Sequence, residues 1–173
     1  MMIVKDLKQN EYNSYYSTYI NKIPKDLDLI EGYIDGGAHV LQFFKAIPEE
    51  KLEYRYAEGK WTIKEVFQHI IDNERIFTYR CFRMGRRDKT SLAGYEQNDY
   101  AEPSKANEKS IETLLEEYEI GRKNSTLLIK SLSNDDLNFI GNASDTNMSA
   151  RAAAFITLGH EMHHINVLKE RYL

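Results

Sequence analysis

Apolar residues recur along four stretches of the chain at the three- and four-residue spacing that marks one face of an α-helix. In the second stretch, for example, Val66, Ile70, Phe77 and Met84 follow this spacing. Strict alternation of apolar and polar residues, which is typical of a half-buried strand, is almost absent. The pattern therefore predicts four helices, at about residues 24–46, 62–86, 107–132 and 149–171.

Residues that favour helix starts stand at three of these positions. Pro24 suits the first helical position, where a missing backbone N–H costs nothing. Thr62 and Glu65 form a T-x-x-E capping box, in which each side chain accepts a hydrogen bond from the other residue's backbone. Ser149 can cap the fourth helix through its hydroxyl oxygen.

Two long polar segments separate the last three predicted helices. Residues 88–105 and 133–147 contain turn-forming residues throughout and are expected to be loops. Four amphipathic helices of about 20 residues, each about 30 Å long, bury their apolar faces most simply against one another. We therefore predict an all-α fold, a four-helix bundle that forms a single domain over residues 1–173, and its up-and-down order stays open.

Composition narrows the class of protein. Hydrophobic residues make up 42% and charged residues 29% of the 173 residues, which is ordinary for a soluble globular protein. A net charge of −4 gives no electrostatic reason to expect nucleic acid or an anionic membrane as partner. No apolar run reaches the length of about 18 residues that a membrane span needs, and the single Cys81 excludes an intramolecular disulfide. We expect a soluble, cytoplasmic protein.

Residues 160–164 spell H-E-x-x-H, the motif of zinc metalloproteases. On a helix, His160 and His164 lie one turn apart on the same face and could bind one metal ion. The extended protease motif, however, requires glycine where this chain has Val167 and histidine where it has Glu170. The protease interpretation therefore lacks its third ligand.

A di-iron bundle is the second interpretation of the same residues. Such a site needs two E-x-x-H motifs and two further glutamates from other helices. The chain has one E-x-x-H, from Glu161 to His164, and Glu65 precedes His69 by four residues instead of three. This interpretation lacks half of its ligands.

In the third interpretation His69, from the second helix, joins His160 and His164. Three neutral imidazoles with an open fourth position form the ligand set of a catalytic zinc or similar ion. Spacing alone does not exclude His163, which projects about 60° from His160. The plain alternative is that these histidines serve packing, and His39 is expected to be a core residue bonded to a carbonyl.

Several polar residues near His69 could support such a site. Asp72 and Asn73 lie one turn beyond His69 and could orient it or touch a substrate; a buried polar contact within the bundle is the alternative. Arg80 opens a basic cluster that continues to Arg87, where positive charge favours a helix C-terminus. A solvated helix end is expected there, although an arginine such as Arg80 could bind the carboxylates of an anionic cofactor.

No catalytic base can be picked out from the sequence. Glu161 projects about 100° away from His160 and is expected to be a surface carboxylate or a support for the ligands. Tyrosines of the leader and of the first long loop, among them Tyr15, Tyr16, Tyr19 and Tyr95, could line a pocket mouth. Packing over the ends of the bundle is the alternative for them.

Three segments together carry a resemblance to a known family. They are GKWTIKEVFQHIIDNERIFTYRCFRMGRRD, the loop GYEQNDYAE, and the final GHEMHHINVLKERYL. In these motifs the chain resembles the DinB-like (YfiT-like) superfamily of metal-dependent enzymes, over nearly its whole length. The resemblance implies a four-helix bundle with an unusual helix order, commonly a homodimer. It also implies one divalent metal ion, nickel or zinc, bound by His69, His160 and His164.

The activity that the resemblance implies is of two kinds. Members of the superfamily are described as metal-dependent hydrolases, and some transfer low-molecular-weight thiols such as bacillithiol or mycothiol. A metal ion held by three histidines can activate water or hold a thiol as its thiolate, so the ligand set permits both. We therefore predict a metal-dependent hydrolase or thiol S-transferase acting on a small molecule. The alternative is a non-catalytic, metal-binding or stress-associated dimeric bundle.

Overall fold

The computed structural model describes all 173 residues, and α-helices form most of it. In chain order the α-helices are α1 (Ser17–Ile20), α2 (Leu29–Glu31), α3 (Gly37–Lys45), α4 (Ile63–Gly85), α5 (Asn98–Ala101), α6 (Ile111–Lys130), α7 (Asn134–Leu137) and α8 (Ala150–Arg171). Short 3-10 helices lie at Val4–Asp6, Gln9–Glu11, Ser14–Tyr16, Glu49–Lys51 and Ala106–Glu108. None of the helices combines the length and the apolar character that crossing a membrane requires.

The long helices begin at side chains that cap them. Thr62 accepts a hydrogen bond from the backbone N–H of Glu65, and the Glu65 carboxylate accepts one from the Thr62 backbone, as predicted for the capping box. Ser149 caps α8 through the backbone N–H of Ala152, also as predicted. Ser110 caps α6, so this helix begins four residues later than the predicted start at residue 107.

The first predicted helix differs most from its prediction. It begins at Leu29, with Asp28 as its cap, and a π-helical turn at Gly32–Gly36 joins α2 to α3. A π turn holds more residues than an α turn and so rotates the faces that follow. Ile34, which lies within this turn, is 49% exposed, and His39, which follows the turn, is exposed as well. The expectation that His39 is a core residue was wrong.

The four-helix bundle is confirmed, with α2–α3, α4, α6 and α8 as its helices. Helix α4 packs against both α6 and α8, and α3 packs against α6. The core divides into two apolar clusters, one containing Phe77 and Phe155 and the other containing the stacked rings of Phe44 and Phe67, 3.7 Å apart. Between the clusters α4, α6 and α8 each place buried polar side chains, so a polar layer crosses the bundle.

A short hairpin interrupts the second predicted loop. Strands β1 (Ile140–Ala143) and β2 (Thr146–Ser149) pair antiparallel, and Ser144 and Asp145 form the turn with φ of 54° and 59°. The strands are only four residues long, so their alternation is too short to distinguish them from a loop. The backbone of Leu92, in the other predicted loop, bonds to Asn142 and Ser144 and ties the two segments together.

One close approach fixes the N-terminal segment on the bundle. A Cβ atom at Gly159 of α8 would lie 2.3 Å from the carbonyl oxygen of Tyr19, which belongs to the backbone of α1. Only glycine allows this contact. Because Tyr19 takes part in this contact and His160 follows Gly159 directly, the contact also places the Tyr19 side chain beside His160.

We expect Gly159→Ala to lower the free energy of unfolding by about 3 kcal/mol, because a backbone must move to admit the methyl group. Gly121→Ala in α6 is the matched control, since a Cβ there meets no atom within 4 Å. The control should stabilise the protein by about 0.5–1 kcal/mol through helix propensity. Urea unfolding of both variants beside wild type measures the difference, and equal effects would contradict the proposed close approach.

Candidate metal centre

Three histidine side chains meet where α4 crosses α8. His69 comes from α4, and His160 and His164 come from successive turns of α8. The Nε2 atom of His160 lies 2.9 Å from that of His69 and 3.1 Å from that of His164. One ligand atom from each of the three residues lies within 4.8 Å of the other two.

Burial keeps these imidazoles neutral. It lowers the pKa of His69 to about 4 and, together with His69 and His163, lowers the pKa of His164 to about 2. The pKa of His160 falls well below its usual value, because the ring is buried and faces the other histidines. A neutral imidazole offers a lone pair, so three converging Nε2 atoms can act as ligands at neutral pH.

The two nitrogen–nitrogen distances that involve His160 fit a shared metal ion. Two nitrogens bound to one ion at about 2.0–2.1 Å lie about 2.8–3.4 Å apart for bond angles between 90° and tetrahedral. The distances of 2.9 and 3.1 Å lie within this range. The donor set is thus three nitrogen atoms from two rigid helices, the kind of set that divalent zinc and nickel accept.

Aromatic rings hold the histidines in place. The Trp61 indole packs on His69 with ring centroids 4.8 Å apart, and Tyr19 meets His160 edge to face at 5.1 Å. His163, which the sequence left open as a ligand, packs its ring against Tyr19 at 5.4 Å. It stands outside the three-histidine cluster.

A buried ion network lies behind the histidines. Arg122 of α6 donates to both carboxylate oxygens of Glu74 at 2.9–3.2 Å and also bonds to Glu161. The Tyr118 hydroxyl donates to Glu161 at 2.9 Å. Burial raises the pKa of Glu161, and Arg122 opposes that rise.

The location of Glu161 corrects one expectation. It is 1% exposed, so the expected role as a surface carboxylate was wrong, and the other expected role, a support for the ligands, stays open. The first half of α8 is buried on all sides, because α1, the π turn at Gly32–Gly36 and the Tyr118 side chain of α6 cover the faces that α4 leaves free. The carboxylate of Glu161 is held by Arg122 and Tyr118 on the side of the helix away from His160.

The three predicted supporting residues lie in different surroundings. Asp72 accepts from Gln68 at 3.0 Å and from Arg75 at 2.8 Å, and it makes no hydrogen bond to His69. Asn73, 5% exposed, donates through Nδ2 to the Tyr95 hydroxyl at 3.1 Å, and its Oδ1 has no partner.

Arg80 is 2% exposed, so placing it at a solvated helix end was wrong. Its Nη2 donates to the carbonyl of Ala93 at 3.2 Å and to the hydroxyl of Ser144 at 2.9 Å, whereas Nη1 has no partner. The first long loop and the hairpin fold over the end of α4 and cover this side chain. That burial depends on long-range contacts, which the local sequence does not reveal.

A cleft of about 250 Å³ joins His160 to these residues. Tyrosines from the leader and from the loop form much of its wall, which supports the pocket interpretation over simple packing for four of them. The lining residues are Tyr15, Tyr16, Tyr19, Asn73, Phe77, Arg80, Tyr95, Glu96, Gln97, Ser144 and His160.

Sequence reasoning missed the ion network altogether. Glu74, Arg122 and Tyr118 were not considered as parts of a site, although a signal was present. Arg122 follows Tyr118 by four residues and precedes Ile129 by seven, so it interrupts the apolar face of its own helix. A charged residue on a buried face requires a partner, and that requirement points to a carboxylate on another helix.

Comparison with known proteins identifies relatives of the chain. A family model described as the DinB superfamily matches residues 36–168. The solved structure of YfiT from Bacillus subtilis, described as a probable metal-dependent hydrolase with an unusual four-helix bundle topology, superposes with a TM-score of 0.74. The two chains are 15% identical, and the match covers 92% of this chain and 91% of the other. No curated protein sequence matches.

We expect Arg122→Met to lower the free energy of unfolding at pH 7 by about 3–5 kcal/mol, because Glu74 and Glu161 are then buried without a cation. Removing Arg122 also removes the attraction that holds down the pKa of Glu161, so this pKa rises further above its ordinary value of 4.5. A raised folded-state pKa makes the folded variant take up a proton more readily than the unfolded chain. The loss in free energy of unfolding of Arg122→Met relative to wild type should therefore shrink as the pH falls from 7 towards 4.5.

Urea unfolding at several pH values measures this deficit. Lys123→Met is the matched control, since Lys123 pairs with Glu119 on the exposed face of the same helix and should leave stability unchanged. A deficit that stays constant with pH would contradict the role assigned to the two carboxylates.

Proposed function

The chain belongs to the DinB superfamily, and we propose that it is a metal-dependent enzyme that acts on a small molecule. The observation that carries this proposal is the convergence of three neutral histidine nitrogens beside a cleft that His160 lines. The description of Bacillus subtilis YfiT as a probable metal-dependent hydrolase supports it.

In this proposal His69, His160 and His164 hold one divalent ion, nickel or zinc. Three protein ligands leave a coordination position for a water molecule or a substrate, as in catalytic sites generally. The bound ion would supply Lewis acidity that activates either a water molecule or a thiol. Hydrolysis and thiol transfer, the latter with a low-molecular-weight thiol as cosubstrate, are the two reactions that this chemistry serves.

The residues around the histidines position the substrate. Burial raises the pKa of both Tyr19 and Tyr95, so both phenols stay protonated at neutral pH and can donate hydrogen bonds into the cleft. Asn73 and Arg80 line the same cleft, each has one buried polar atom without a partner, and both are assigned to substrate contact. Asp72, which bonds to Gln68 and Arg75, is assigned to holding the surface of α4 beside His69.

Glu161 is assigned a positioning role. Its carboxylate is occupied by Arg122 and Tyr118, so it fixes the rotation of α8 and thereby the direction of His160. The homodimer implied by the family resemblance stays a prediction. Exposed apolar side chains on α4 and α6, including Phe82 at 42% and Leu127 at 69%, would suit such an interface.

We expect purified wild-type protein to carry about one equivalent of nickel or zinc, measured by plasma mass spectrometry. His69→Ala and His164→Ala should each lose most of it, because two remaining imidazoles bind a divalent ion far more weakly. His163→Ala and His39→Ala are the controls and should keep the metal. Chelation should abolish any hydrolytic or thiol-transfer activity found with wild type, and the added metal should restore it.

Two outcomes would contradict the proposal. Metal content that His69→Ala leaves unchanged would exclude the three-histidine site. No binding by wild type after reconstitution with nickel or zinc would leave the histidines as packing residues. A metal-loaded protein inactive in every assay would favour the alternative of a non-catalytic metal-binding bundle.

A further inference from the structure

Arg80 is a buried cation without a buried counter-charge. Its side chain makes no ion pair, although it is 2% exposed, whereas Arg122, at 6% exposed, pairs with two glutamates. Two neutral acceptors, the Ala93 carbonyl and the Ser144 hydroxyl, occupy Nη2, and Nη1 bonds to nothing. Burying an unpaired charge is costly, so a site of this kind is expected to receive an anion.

Arg80 lies on the same face of α4 as His69. His69, Asn73, Phe77 and Arg80 follow one another at spacings of four, four and three residues, which places them in a row along the helix. The last three line the same cleft as His160. The guanidinium lies 4.9 Å from the centre of the Phe77 ring and 5.8 Å from that of Tyr95, so aromatic faces hold it in position.

The charges around the cleft favour a single negative group. Arg80 is the one arginine or lysine among the lining residues, and His160 belongs to the three-histidine cluster. Glu96 is the one carboxylate; it is exposed and accepts hydrogen bonds from the backbone and side-chain nitrogens of Asn98. The positive charge therefore sits inside the cleft, and the negative charge sits at its exposed surface.

Asn73 adds a hydrogen-bond acceptor to the donor that Arg80 supplies. Its Nδ2 is committed to Tyr95, and its buried Oδ1 has no donor. Two residues that line the cleft thus each keep one buried polar atom without a partner, the charged donor Nη1 of Arg80 and the neutral acceptor Oδ1 of Asn73. These two groups complement a ligand that carries an anion and an N–H or O–H donor.

We propose, resting on the proposed function, that this cleft binds the carboxylate of a small substrate or cosubstrate, with its reacting end directed towards the three histidines. Arg80 Nη1 donates to the carboxylate, and Asn73 Oδ1 accepts from an N–H or O–H group of the same ligand. A carboxylate matches a single cation with one free nitrogen. The volume of about 250 Å³ limits the bound portion to a small molecule.

The test uses protein loaded with cobalt(II) in place of the native ion. The probes are a homologous series of straight-chain ω-mercaptocarboxylates, each beside its primary amide, and the thiolate-to-cobalt absorption band reports their binding. At the best chain length we expect the carboxylate to bind at least about tenfold more tightly than the amide, since hydrogen bonds to charged groups are worth that much.

Three variants locate the source of that preference. Arg80→Met should remove it, and Arg86→Met, at an exposed arginine near the end of the same helix, should retain it. Asn73→Asp keeps a partner for the Tyr95 hydroxyl but places a negative charge in the cleft, so it should also remove the preference. If Arg80→Met does not fold, Asn73→Asp decides the question.

A second measurement separates this inference from the proposed function. In metal-free protein, the side-chain N–H resonances of Arg80 are followed by NMR during titration with the same probes. Shifts with the carboxylates but not with the amides would support the cleft even if no metal binds. Equal affinity for carboxylates and amides in cobalt-loaded wild type would overturn the inference and leave the metal site standing. A preference that persists in both Arg80→Met and Asn73→Asp would overturn it as well.

Discussion

The buried contact of Arg122 with Glu74 and Glu161 is the constraint on which the rest of the site depends. One guanidinium on α6 bonds to a carboxylate on α4 and to another on α8, so a single side chain fixes the rotation of three helices. Glu161 follows His160 directly, about 100° around α8, and Glu74 follows His69 by five residues on α4. Once Arg122 holds both glutamates, the two helices can present their histidines only to each other.

This arrangement carries an energetic cost that an apolar core would avoid. Two carboxylates and one guanidinium are removed from water, and their mutual attraction offsets only part of the desolvation. The polar layer lies between two apolar clusters that supply most of the hydrophobic stabilisation. The clusters therefore provide stability, while the layer provides orientation, which apolar side chains supply poorly because dispersion contacts have no preferred direction.

Local sequence signals predicted the parts of this protein that depend on neighbours along the chain. Helix starts at Thr62 and Ser149 followed from capping chemistry, and the pairing of His160 with His164 followed from helical spacing. The parts that depend on contacts between distant segments could not be predicted from local sequence signals. His39, which follows the π turn at Gly32–Gly36, lies at the surface, and the loop and hairpin that fold over α4 bury Arg80, because both outcomes are decided by packing between elements.

The site also depends on a contact that contains no polar side chain. Gly159 admits the backbone of α1 to the surface of α8, and Tyr19 thereby reaches His160 with its ring edge. The same segment brings Tyr15 and Tyr16 to the cleft, opposite the row of residues on α4 that ends at Arg80. The two walls of the cleft therefore have different origins. Gly159 on α8 lets the segment around α1 form one wall, and the ion network of Arg122 fixes α4, which carries the other wall. Because neither wall depends on a bound ligand for its position, the cleft is formed before a substrate arrives, and binding requires little reorganisation of the bundle.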